Sequence, residues 1–425
     1  MPMESTKKRL LLLTTARSYR NDAFLQAANR LGIEVVQAVD MSKELSTYWH
    51  CTLGIDFNDT TAAVQTIAAQ AAAAPFDGIL AVDDSGTLLA ARAGAALGLP
   101  HNAPVAAEAA RDKYIMRTLM AAGGVPCPTF QRFTLADDVH FVAEQVAYPC
   151  VVKPLNLNGS RGVMRADNPT EFVQVVQRLA RLLQSGVLDS VQPIYLVEDF
   201  IPGFEVALEG MLDQGELTVL ALFDKPDPLD GPFFEETIYV TPSRLSADVQ
   251  RKIAVTVAQA AQSLGLQMGP VHAELRINEQ GPWMLEVAGR SIGGLCSQIL
   301  RFGVDASLEE LILRQAVGLG IETTERVGHA VGVMMIPIPS AGILQRERQR
   351  TRCRRPGITG VEITARLGHP ITPLPEGESY LGFIFAQGET PALVEAALRH
   401  AHAQLIFTIV PEIELALAPC KFWPL

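Results

Sequence analysis

Two glutamates near residue 280 have the type and spacing that a divalent metal site requires. Glu274 and Glu286 stand in two strand-like runs separated by the turn-forming segment 279–281. If this segment is a three-residue hairpin loop, the two glutamates lie directly opposite each other, with Cβ atoms about 5 Å apart. A cation between them would remove their mutual repulsion, and oxygen-only ligands suit Mg²⁺ or Mn²⁺. The hairpin therefore predicts a metal site, although an ionic ladder with neighbouring arginines remains an alternative.

The same face of this predicted hairpin carries further chemically useful side chains. Side chains alternate between the two faces along a strand, so residues two apart share a face. The opposite face is apolar, with Val271, Ala273, Leu275 and Ile277, which leaves the first face available for a site. The residues that share the face of the two glutamates are His272, Arg276, Ala288 and Arg290.

A lysine and a glycine-bearing turn in the segment 148–163 could hold phosphate groups. Lys153 ends a β-branched run, and Gly159, Ser160 and Gly162 follow it in a tight turn. Glycines let backbone N–H groups approach an anion, and an ammonium group suits phosphate. No Gly-Lys-Ser/Thr motif with a following helix is present, so a P-loop is excluded. A plain glycine hairpin remains the alternative.

Two acids flank an apolar segment that could contact a nucleotide base. Glu198 and Glu205 bracket a crossing segment that ends at Pro202 and Gly203. The backbone of such a segment can bind a purine edge, while the carboxylates accept hydrogen bonds from an amino group and from ribose hydroxyls. Two ordinary strands joined at a Pro-Gly turn are the alternative.

The elements that must position these residues begin with a doubly wound region. The first hundred residues alternate between strand-like and helix-like patterns, which favours a parallel sheet. Asp83 and Asp84 follow the third predicted strand, at the edge where such sheets bind ligands, although they could instead only cap the next helix. The predicted strands are Leu10–Thr14, Glu34–Ala38 and Gly78–Val82, and the predicted helices are Asn21–Leu31, Thr61–Ala74 and Thr87–Leu97.

The pattern changes after a predicted helix at Pro104–Ala122. Hairpin signals dominate from Cys150 to Ala288, with one long helix at Ala247–Leu264 between them, which indicates an α+β segment. After about residue 315, further strand-like runs and a helix indicate a third, smaller unit.

The composition excludes several classes of function. In 425 residues, 46 acids outweigh 35 bases to give a net charge of −11. Binding to nucleic acid or to an anionic membrane surface needs a basic footprint, so neither is expected. No apolar run approaches the roughly 20 residues that cross a bilayer. Six widely spaced cysteines without a CxxC pair suit reduced thiols, so we expect a cytoplasmic protein in which Cys296 is a packing residue. The arginine-rich segment 346–355 is expected to be exposed because of its charge.

In their order along the chain, these motifs resemble those of the ATP-grasp superfamily, and most of all the L-amino-acid ligases, which join two amino acids into a dipeptide. Residues 111–114 and 123–128 are similar to the start of the family's nucleotide domain, and residues 223–243 resemble its substrate-side segment. The resemblance covers nearly the whole chain and implies an α/β and α+β ATP-grasp fold. The implied domains are a Rossmann-like N-terminal domain at 1–103, an ATP-grasp domain at 104–315 with a mobile lid at 125–200, and a small C-terminal α+β domain at 316–425.

The resemblance also implies roles for individual residues. Many family members have an asparagine metal ligand two residues after the second glutamate, where this chain has Ala288, so water would replace it or metal affinity would be lower. The implied ATP-binding residues are Lys113 and Lys153 at the phosphates, Asn158, Gly159, Ser160 and Gly162 in a hairpin over them, Glu198, Phe200 and Ile201 at the adenine, and Glu205 at the ribose. Glu274 and Glu286 would bind Mg²⁺ or Mn²⁺, and Arg290 would stabilise the acyl phosphate and the tetrahedral intermediate.

The activity that the resemblance implies is the ATP-dependent joining of two L-amino acids through an acyl phosphate, with release of ADP and phosphate. Glu235 and Glu236 could hold the ammonium of the first amino acid, although one of them could lie in a solvated loop because neighbours on a strand face opposite ways. His272 lies on the site face, and Gly293 and Gly294 leave room for a side chain. A homodimer is common among similar proteins.

Two other functions remain open at this point. The chain could be an ATP-grasp enzyme that activates bicarbonate or formate, or a nucleotide-binding module without catalysis, which the departure at Ala288 would fit. The expected partners are ATP and amino acids, with no nucleic acid and no membrane.

Overall fold

The computed structural model describes residues 7–16, 18–49, 53–185, 193–349, 356–377 and 379–412. Within these ranges, no helix combines the length and the apolar character that a bilayer crossing needs. The described strands form five sheets, of which an eight-stranded sheet is the largest.

The N-terminal region is a parallel sheet flanked by helices, as its alternating sequence pattern predicts. The elements are β1 (Arg9–Thr14), α1 (Asn21–Leu31), β2 (Glu34–Asp40), α2 (Lys43–Tyr48), β3 (Leu53–Ile55), α3 (Thr60–Ala73), β4 (Gly78–Ala81) and α4 (Asp84–Leu97). The strand order is β3-β2-β1-β4, and β1 is buried along most of its length because it pairs on both sides. α4 begins at Asp84, three residues before its predicted start at Thr87, so Asp84 lies in its first turn.

The predicted single helix Pro104–Ala122 is wrong, because the chain breaks it just before residue 113. The two helices are α5 (Pro104–Ala109) and α6 (Lys113–Ala122). The Asp112 side chain accepts hydrogen bonds from the backbone N–H groups of Tyr114 at 2.8 Å and Ile115 at 3.0 Å, which caps a new helix. This cap places Lys113 at the first position of α6.

A small antiparallel sheet with two helices follows. The elements are β5 (Phe130–Thr134), α7 (Val139–Gln145), β6 (Cys150–Pro154), β7 (Met164–Ala166), α8 (Pro169–Ser185) and β8 (Ile194–Asp199), and the strand order is β5-β8-β6-β7. Our sequence prediction missed α8. Its side chains Phe172, Val176 and Leu179 are buried and recur every three or four residues, which is the pattern that identifies a helix.

Residues 204–288 supply five strands of the central sheet and one long helix. The elements are β9 (Phe204–Asp213), β10 (Glu216–Asp224), β11 (Ile238–Thr241), α9 (Ala247–Leu264), β12 (Gly269–Asn278) and β13 (Gly281–Ala288). β9 and β10 form one antiparallel hairpin, β12 and β13 form another, and β12 pairs with β9. α9 has the bounds that the sequence predicted.

The remaining described residues extend the central sheet and add two small ones. The elements are a 3₁₀ helix (Cys296–Ile299), β14 (Arg301–Phe302), β15 (Ala306–Ser307), α10 (Leu308–Ala316), β16 (Ala330–Ile336), β17 (Gly342–Gln349), β18 (Ile358–Ile363), β19 (Pro370–Ile371), β20 (Gly382–Gly388), α11 (Pro391–His402) and β21 (Leu405–Val410). The central sheet is antiparallel and has the order β13-β12-β9-β10-β11-β16-β20-β18, so it runs on beyond residue 315. The predicted division into three domains stays a prediction. Of the arginine-rich segment, residues 350–355 lie outside the described residues.

The two faces of the central sheet differ, and this decides where a site can lie. On one face, Val271, Ala273 and Leu275 pack against α9 in an apolar cluster. On the other face, Ala207 and Met211 of β9 belong to a cluster that includes residues of α1 and α10. This second face also carries the polar side chains of β12, which form the floor of a cavity.

Candidate active site

The hairpin β12–β13 brings the two predicted metal-binding glutamates opposite each other. Glu274 pairs with Glu286 in the register of the two strands. The predicted three-residue loop is wrong, because Asn278 pairs with Gly281 and leaves a two-residue loop. A register shift next to Glu274 then skips Leu285, and this extra residue restores the predicted pairing.

A cavity of about 730 Å³ lies over this hairpin, between the central sheet, the small β5–β8 sheet and the N-terminal sheet. It is large enough for a nucleotide with a small second molecule. The predicted site residues that line it are Lys113, Lys153, Asn158, Gly159, Ser160, Glu198, Phe200, Ile201, Glu205, Glu236, His272, Glu274, Glu286, Arg290, Gly293 and Gly294. One cavity therefore collects residues from five separate stretches of the chain.

Two predicted site residues do not line this cavity. Glu235 is half-buried and accepts a hydrogen bond from the backbone of Ile338, and burial raises the pKa of its carboxyl group. Of the neighbouring pair of glutamates, it is Glu236 that faces the cavity. Gly162 donates its backbone N–H to the carbonyl oxygen of Pro375 at 2.8 Å, so this N–H is directed to the C-terminal region.

The glycine-bearing turn is held by contacts with the C-terminal region. Arg161 donates a hydrogen bond to the backbone oxygen of Glu376 at 3.0 Å, and Arg178 of α8 pairs with the Glu376 carboxylate at 2.6 Å. Gly162 has a φ of +73°, and a Cβ atom there would lie 3.1 Å from the side chains of Leu179 and Leu182. A residue without a side chain is required at this position.

Lys153 and Glu198 form part of a buried ionic cluster that the sequence only half revealed. The Lys153 ammonium lies 2.6 Å from Glu198, and Arg117 of α6 lies 2.8 Å from the same carboxylate. Burial raises the pKa of Glu198, but the charges of Arg117 and Lys153 outweigh it and lower the pKa below the ordinary value. Arg117 was missed, although it lies one helical turn after Lys113 and so shares its face of α6.

Lys113 joins the glycine-bearing turn to the metal-binding hairpin. Its ammonium donates a hydrogen bond to the carbonyl oxygen of Leu157 at 3.0 Å and lies 3.6 Å from the Glu286 carboxylate. A buried ammonium between these two elements is suited to bind an anion that reaches from the turn to the hairpin.

A second buried ionic cluster surrounds Lys225, to which the sequence analysis gave no role. Its ammonium lies 2.9 Å from Glu205 and 3.2 Å from Glu274, and it also contacts Glu236. Arg276 pairs with the other oxygen of Glu205 at 3.0 Å. The sequence signal was weak, because Lys225 stands alone after β10 and its partners are 11 to 49 residues away.

The carboxylates of this cluster differ in their pKa values. Burial raises the pKa of Glu236 to about 7, and the charge of Glu274 adds to the effect while Lys225 opposes it. Burial also acts to raise the pKa of Glu274, but Lys225 and His272 outweigh it and hold that pKa well below the ordinary value. Proton uptake near neutral pH therefore falls on Glu236.

The donor atoms in this part of the cavity fit a hard divalent cation. Carboxylate oxygens of Glu205, Glu236 and Glu274 lie within 4.8 Å of one another, and Glu286 lies opposite Glu274. Oxygen ligands of this kind suit Mg²⁺ or Mn²⁺. Ala288, which stands where an asparagine ligand was considered, pairs with His272 across the hairpin and offers no side-chain donor.

His272 and Glu209 form a buried pair across β12 and β9. The Nδ1 atom of His272 lies 3.1 Å from a Glu209 oxygen, and that oxygen also accepts the backbone N–H of Ile292 at 2.9 Å. The Glu209 side chain is 0% exposed. Burial lowers the pKa of His272, but hydrogen bonds to Glu209 and Glu274 outweigh it and raise the pKa to about 9. His272 is therefore an imidazolium at neutral pH.

Arg290 is held in the cavity by the N-terminal region. Its Nε atom lies 2.6 Å from Asp84, in the first turn of α4, and its Nη1 atom donates to the carbonyl oxygen of Ser291 at 2.9 Å. The preceding residue, Asp83, lies 3.6 Å from Arg20. Both aspartates thus line the cavity, at the edge of the parallel sheet that the sequence had indicated as one possibility.

The two glycines after Arg290 have different surroundings. A Cβ atom on Gly294 would lie 2.9 Å from the ring of Phe383, whereas a Cβ atom on Gly293 would meet nothing within 4 Å. Gly293 therefore faces the open space. Cys296 also lines the cavity, but it belongs to the apolar core cluster, and burial raises its pKa.

Comparison with known families agrees with this fold. Residues 25–101 match the ATP-grasp N-terminal domain, residues 146–299 match the ATP-grasp domain, and residues 334–410 match the L-amino acid ligase C-terminal domain 2. The chain thus has the fold of the ATP-grasp superfamily, with an N-terminal domain and a small C-terminal domain. The crystal structure of L-amino acid ligase from Bacillus licheniformis superposes with a TM-score of 0.79 at 26% identity, covering 95% of this chain and 99% of that one. Within the superfamily, the chain therefore resembles the L-amino-acid ligases.

The chain matches a smaller part of the length of its curated relatives than of this solved structure. The chain is 29% identical to alanine–anticapsin ligase of Bacillus subtilis over 252 residues, which is 52% of each chain. It is 26% identical over 318 residues to the uncharacterized protein y4rH of Sinorhizobium fredii, which covers 75% of this chain and 65% of that one. The chain thus spans less than two thirds of the length of these relatives.

The His272–Glu209 pair predicts a pH-dependent contribution to stability. A group whose folded pKa is raised from about 6.5 to about 9 stabilises the fold below pH 6.5, and this stabilisation is lost as the pH rises through 9. The difference in unfolding free energy between wild type and His272→Asn should therefore shrink by about 3 kcal/mol between pH 6 and pH 10. Urea denaturation at several pH values measures it, and Glu209→Gln should remove most of the dependence. A difference that stays constant with pH would contradict the assignment.

Proposed function

We propose that this chain is an ATP-dependent ligase that joins two L-amino acids into a dipeptide through an acyl phosphate, with release of ADP and phosphate. The observation that carries the proposal is that one cavity holds Lys113 and Lys153, the acids Glu274 and Glu286, and Arg290. These are the charges needed to bind a triphosphate and to stabilise a reacting carbonyl group. The likeness to L-amino acid ligase along 95% of the chain supports the same activity.

In this proposal, ATP occupies the part of the cavity between β6, β8 and the central sheet. Lys113 and Lys153 bind its phosphates, and the turn of Asn158, Gly159 and Ser160 covers them. The adenine lies against the backbone of Phe200 and Ile201, with its amino group near Glu198, and the ribose lies near Glu205. Glu198 already accepts from Lys153 and Arg117, but a carboxylate has about four acceptor sites, so it can accept one more donor.

The proposed metal ligands are Glu274 and Glu286. A magnesium or manganese ion bound there would neutralise negative charge on the ATP phosphates. Because Ala288 has no donor atom, phosphate oxygens and water would complete the coordination.

The proposed reaction has two steps, and the chain's own residues act in both. A carboxylate oxygen of the first amino acid attacks the γ-phosphorus, and the bond to the ADP oxygen breaks while Lys113 and Lys153 hold the phosphates. The neutral amine of the second amino acid then attacks the acyl carbon, phosphate leaves with the C–O bond electrons, and the proton that the amine nitrogen loses passes to the departing phosphate. In this proposal Arg290, which Asp84 holds in the cavity, donates to the oxygen that becomes negative in the tetrahedral intermediate.

The first amino acid would lie between Glu236 and the glycine pair. We assign its ammonium group to Glu236, whose carboxylate faces the cavity, and its side chain to the open space beside Gly293. His272 supports the subsite by holding Glu274 in place, because its Nε2 atom lies 3.6 Å from that carboxylate.

Water has to be kept away from an acyl phosphate, and this requirement supports a mobile lid. We propose that residues 125–200, which contain the β5–β8 sheet, move over the nucleotide. We also propose that the protein acts as a homodimer in the cytoplasm, where ATP and free amino acids are available. Light scattering of the purified protein measures the oligomeric state.

A screen of amino-acid pairs tests the activity. The protein, ATP and Mg²⁺ are incubated with each pair, phosphate release is measured, and the product is identified by mass spectrometry. We expect ADP, phosphate and a dipeptide, with no AMP. Phosphate release that needs bicarbonate or formate in place of amino acids would refute the proposal in favour of a different carboxylate-activating enzyme. Nucleotide binding without turnover on any pair would refute catalysis.

Arg290→Met should lower kcat and kcat/KM equally, by about 10²- to 10³-fold, because the lost interaction is made in the transition state. KM for ATP should change little. Arg251→Met, on the exposed side of α9, is the matched control and should keep wild-type kinetics. Steady-state assays of ADP formation measure both variants. A rise in the amino-acid KM at unchanged kcat would show that Arg290 serves ground-state binding instead.

The raised pKa of Glu236 predicts how the binding of the first amino acid depends on pH. Only the carboxylate can hold an ammonium group, and with a pKa of about 7 this form is lost below neutral pH, so KM for the first amino acid should rise from pH 8 to pH 6. Glu236→Gln should raise that KM by about 10- to 100-fold and abolish the pH dependence. Glu235→Gln, outside the cavity, is the comparison and should retain the wild-type profile. A wild-type pH dependence of this KM in Glu236→Gln would exclude a role of Glu236 in binding the ammonium group.

A further inference from the structure

The ammonium of Lys225 is buried beside the cavity, among three carboxylates that line it. Its ammonium lies 2.9 Å from Glu205 and 3.2 Å from Glu274, contacts Glu236 as well, and is only 3% exposed. The three acids reach it from β9, from the segment before β11, and from β12. They are the groups that we assign to the ribose, to the substrate ammonium and to the metal, so one ammonium contacts three subsites.

The same oxygens form a group that is compact enough for a single divalent ion. Ligand oxygens of Glu205, Glu236 and Glu274 lie within 4.8 Å of one another. An ion with metal–oxygen distances of about 2.1 Å would have to sit between them, where the ammonium of Lys225 lies. A bound ion at this group and the present position of Lys225 therefore exclude each other.

Additional contacts hold Lys225 in this position. Its backbone N–H donates to the carbonyl oxygen of Glu205 at 3.2 Å, which fixes the start of the side chain. The ammonium lies 5.1 Å from the centre of the Tyr239 ring, and the Tyr239 hydroxyl donates to Glu236 at 2.8 Å. The lysine is thus anchored at both ends of its side chain.

We propose that Lys225 is the resident cation of the group formed by Glu205, Glu236 and Glu274. It positions the three carboxylates and excludes a free divalent ion from them. The metal then binds tightly only together with the nucleotide, on the side of the hairpin where Glu286 lies. The part of this inference that concerns the substrate ammonium rests on the proposed function, whereas the exclusion of the ion does not.

Binding of Mn²⁺ without nucleotide tests the exclusion directly. Electron paramagnetic resonance counts bound Mn²⁺ in wild type, Lys225→Met and the double variant Lys225→Met/Glu236→Gln. We expect Lys225→Met to gain one site, at least tenfold tighter than any in nucleotide-free wild type, and the double variant to lose it. Lys252→Met removes a lysine whose side chain is 62% exposed on α9 and should bind as wild type does. Equal binding in wild type and Lys225→Met, or a gained site that survives Glu236→Gln, would overturn the proposal.

A second test measures Mn²⁺ binding by wild type alone, so it does not depend on the folding of a variant. Its affinity for Mn²⁺ should be at least tenfold higher with ADP than without nucleotide, and equal affinities would overturn the exclusion. In kinetic assays, Lys225→Met should raise KM for the first amino acid as well as lower kcat, with Lys225→Arg closer to wild type. A purely structural role would lower stability and leave the Mn²⁺ count unchanged. If the screen of amino-acid pairs yields no dipeptide, the Mn²⁺ measurement still tests the exclusion of the ion, because it does not depend on ligase activity.

Discussion

Charge balance inside a buried cavity is the constraint on which this structure depends. Glu205 and Glu274 line the cavity, and Glu209 is fully buried on one of the same two neighbouring strands. Each of these three carboxylates contacts a cation from Lys225, Arg276 or His272. Removing a charge from water costs several kcal/mol unless a partner compensates it, so each of these buried charges needs its partner. In the proposed function, a triphosphate and a divalent ion must fit into this balance, which would make the cavity selective for charge as well as for shape.

The strand geometry explains how so many charges come together. Residues two apart on β12 share a face, and the partners of His272 and Arg276 on β9 are Glu209 and Glu205, directly opposite them. These two ion pairs are therefore cross-strand neighbour pairs whose distances are set by the spacing of the sheet. The apolar residues that alternate with them pack against α9, so the hydrophobic face that holds the sheet in place also fixes the charged face.

The sequence predicted the parts of the site that depend on local patterns, and it missed the parts that depend on distant contacts. The glutamate pair on the hairpin follows from alternation, and the pairing is correct even though the two-residue loop and the unpaired Leu285 were not foreseen, because these two errors cancel in the register. Lys225 and Arg117 were missed because their partners lie on other elements. α8 was missed in spite of a clear helical spacing, since the hairpin signals around it dominated our interpretation of that region.

The pair of Asp84 and Arg290 shows why the N-terminal region belongs to the site. The two residues are 206 positions apart, and they connect the first turn of α4 to the end of β13. Arginine side chains have several rotatable bonds, so a guanidinium that must meet a short-lived oxyanion gains from being held by a fixed carboxylate before the substrate arrives. Asp84 supplies that carboxylate from the edge where doubly wound sheets place their ligands. The parallel sheet therefore contributes to the proposed chemistry by orienting Arg290, and not only by covering the cavity.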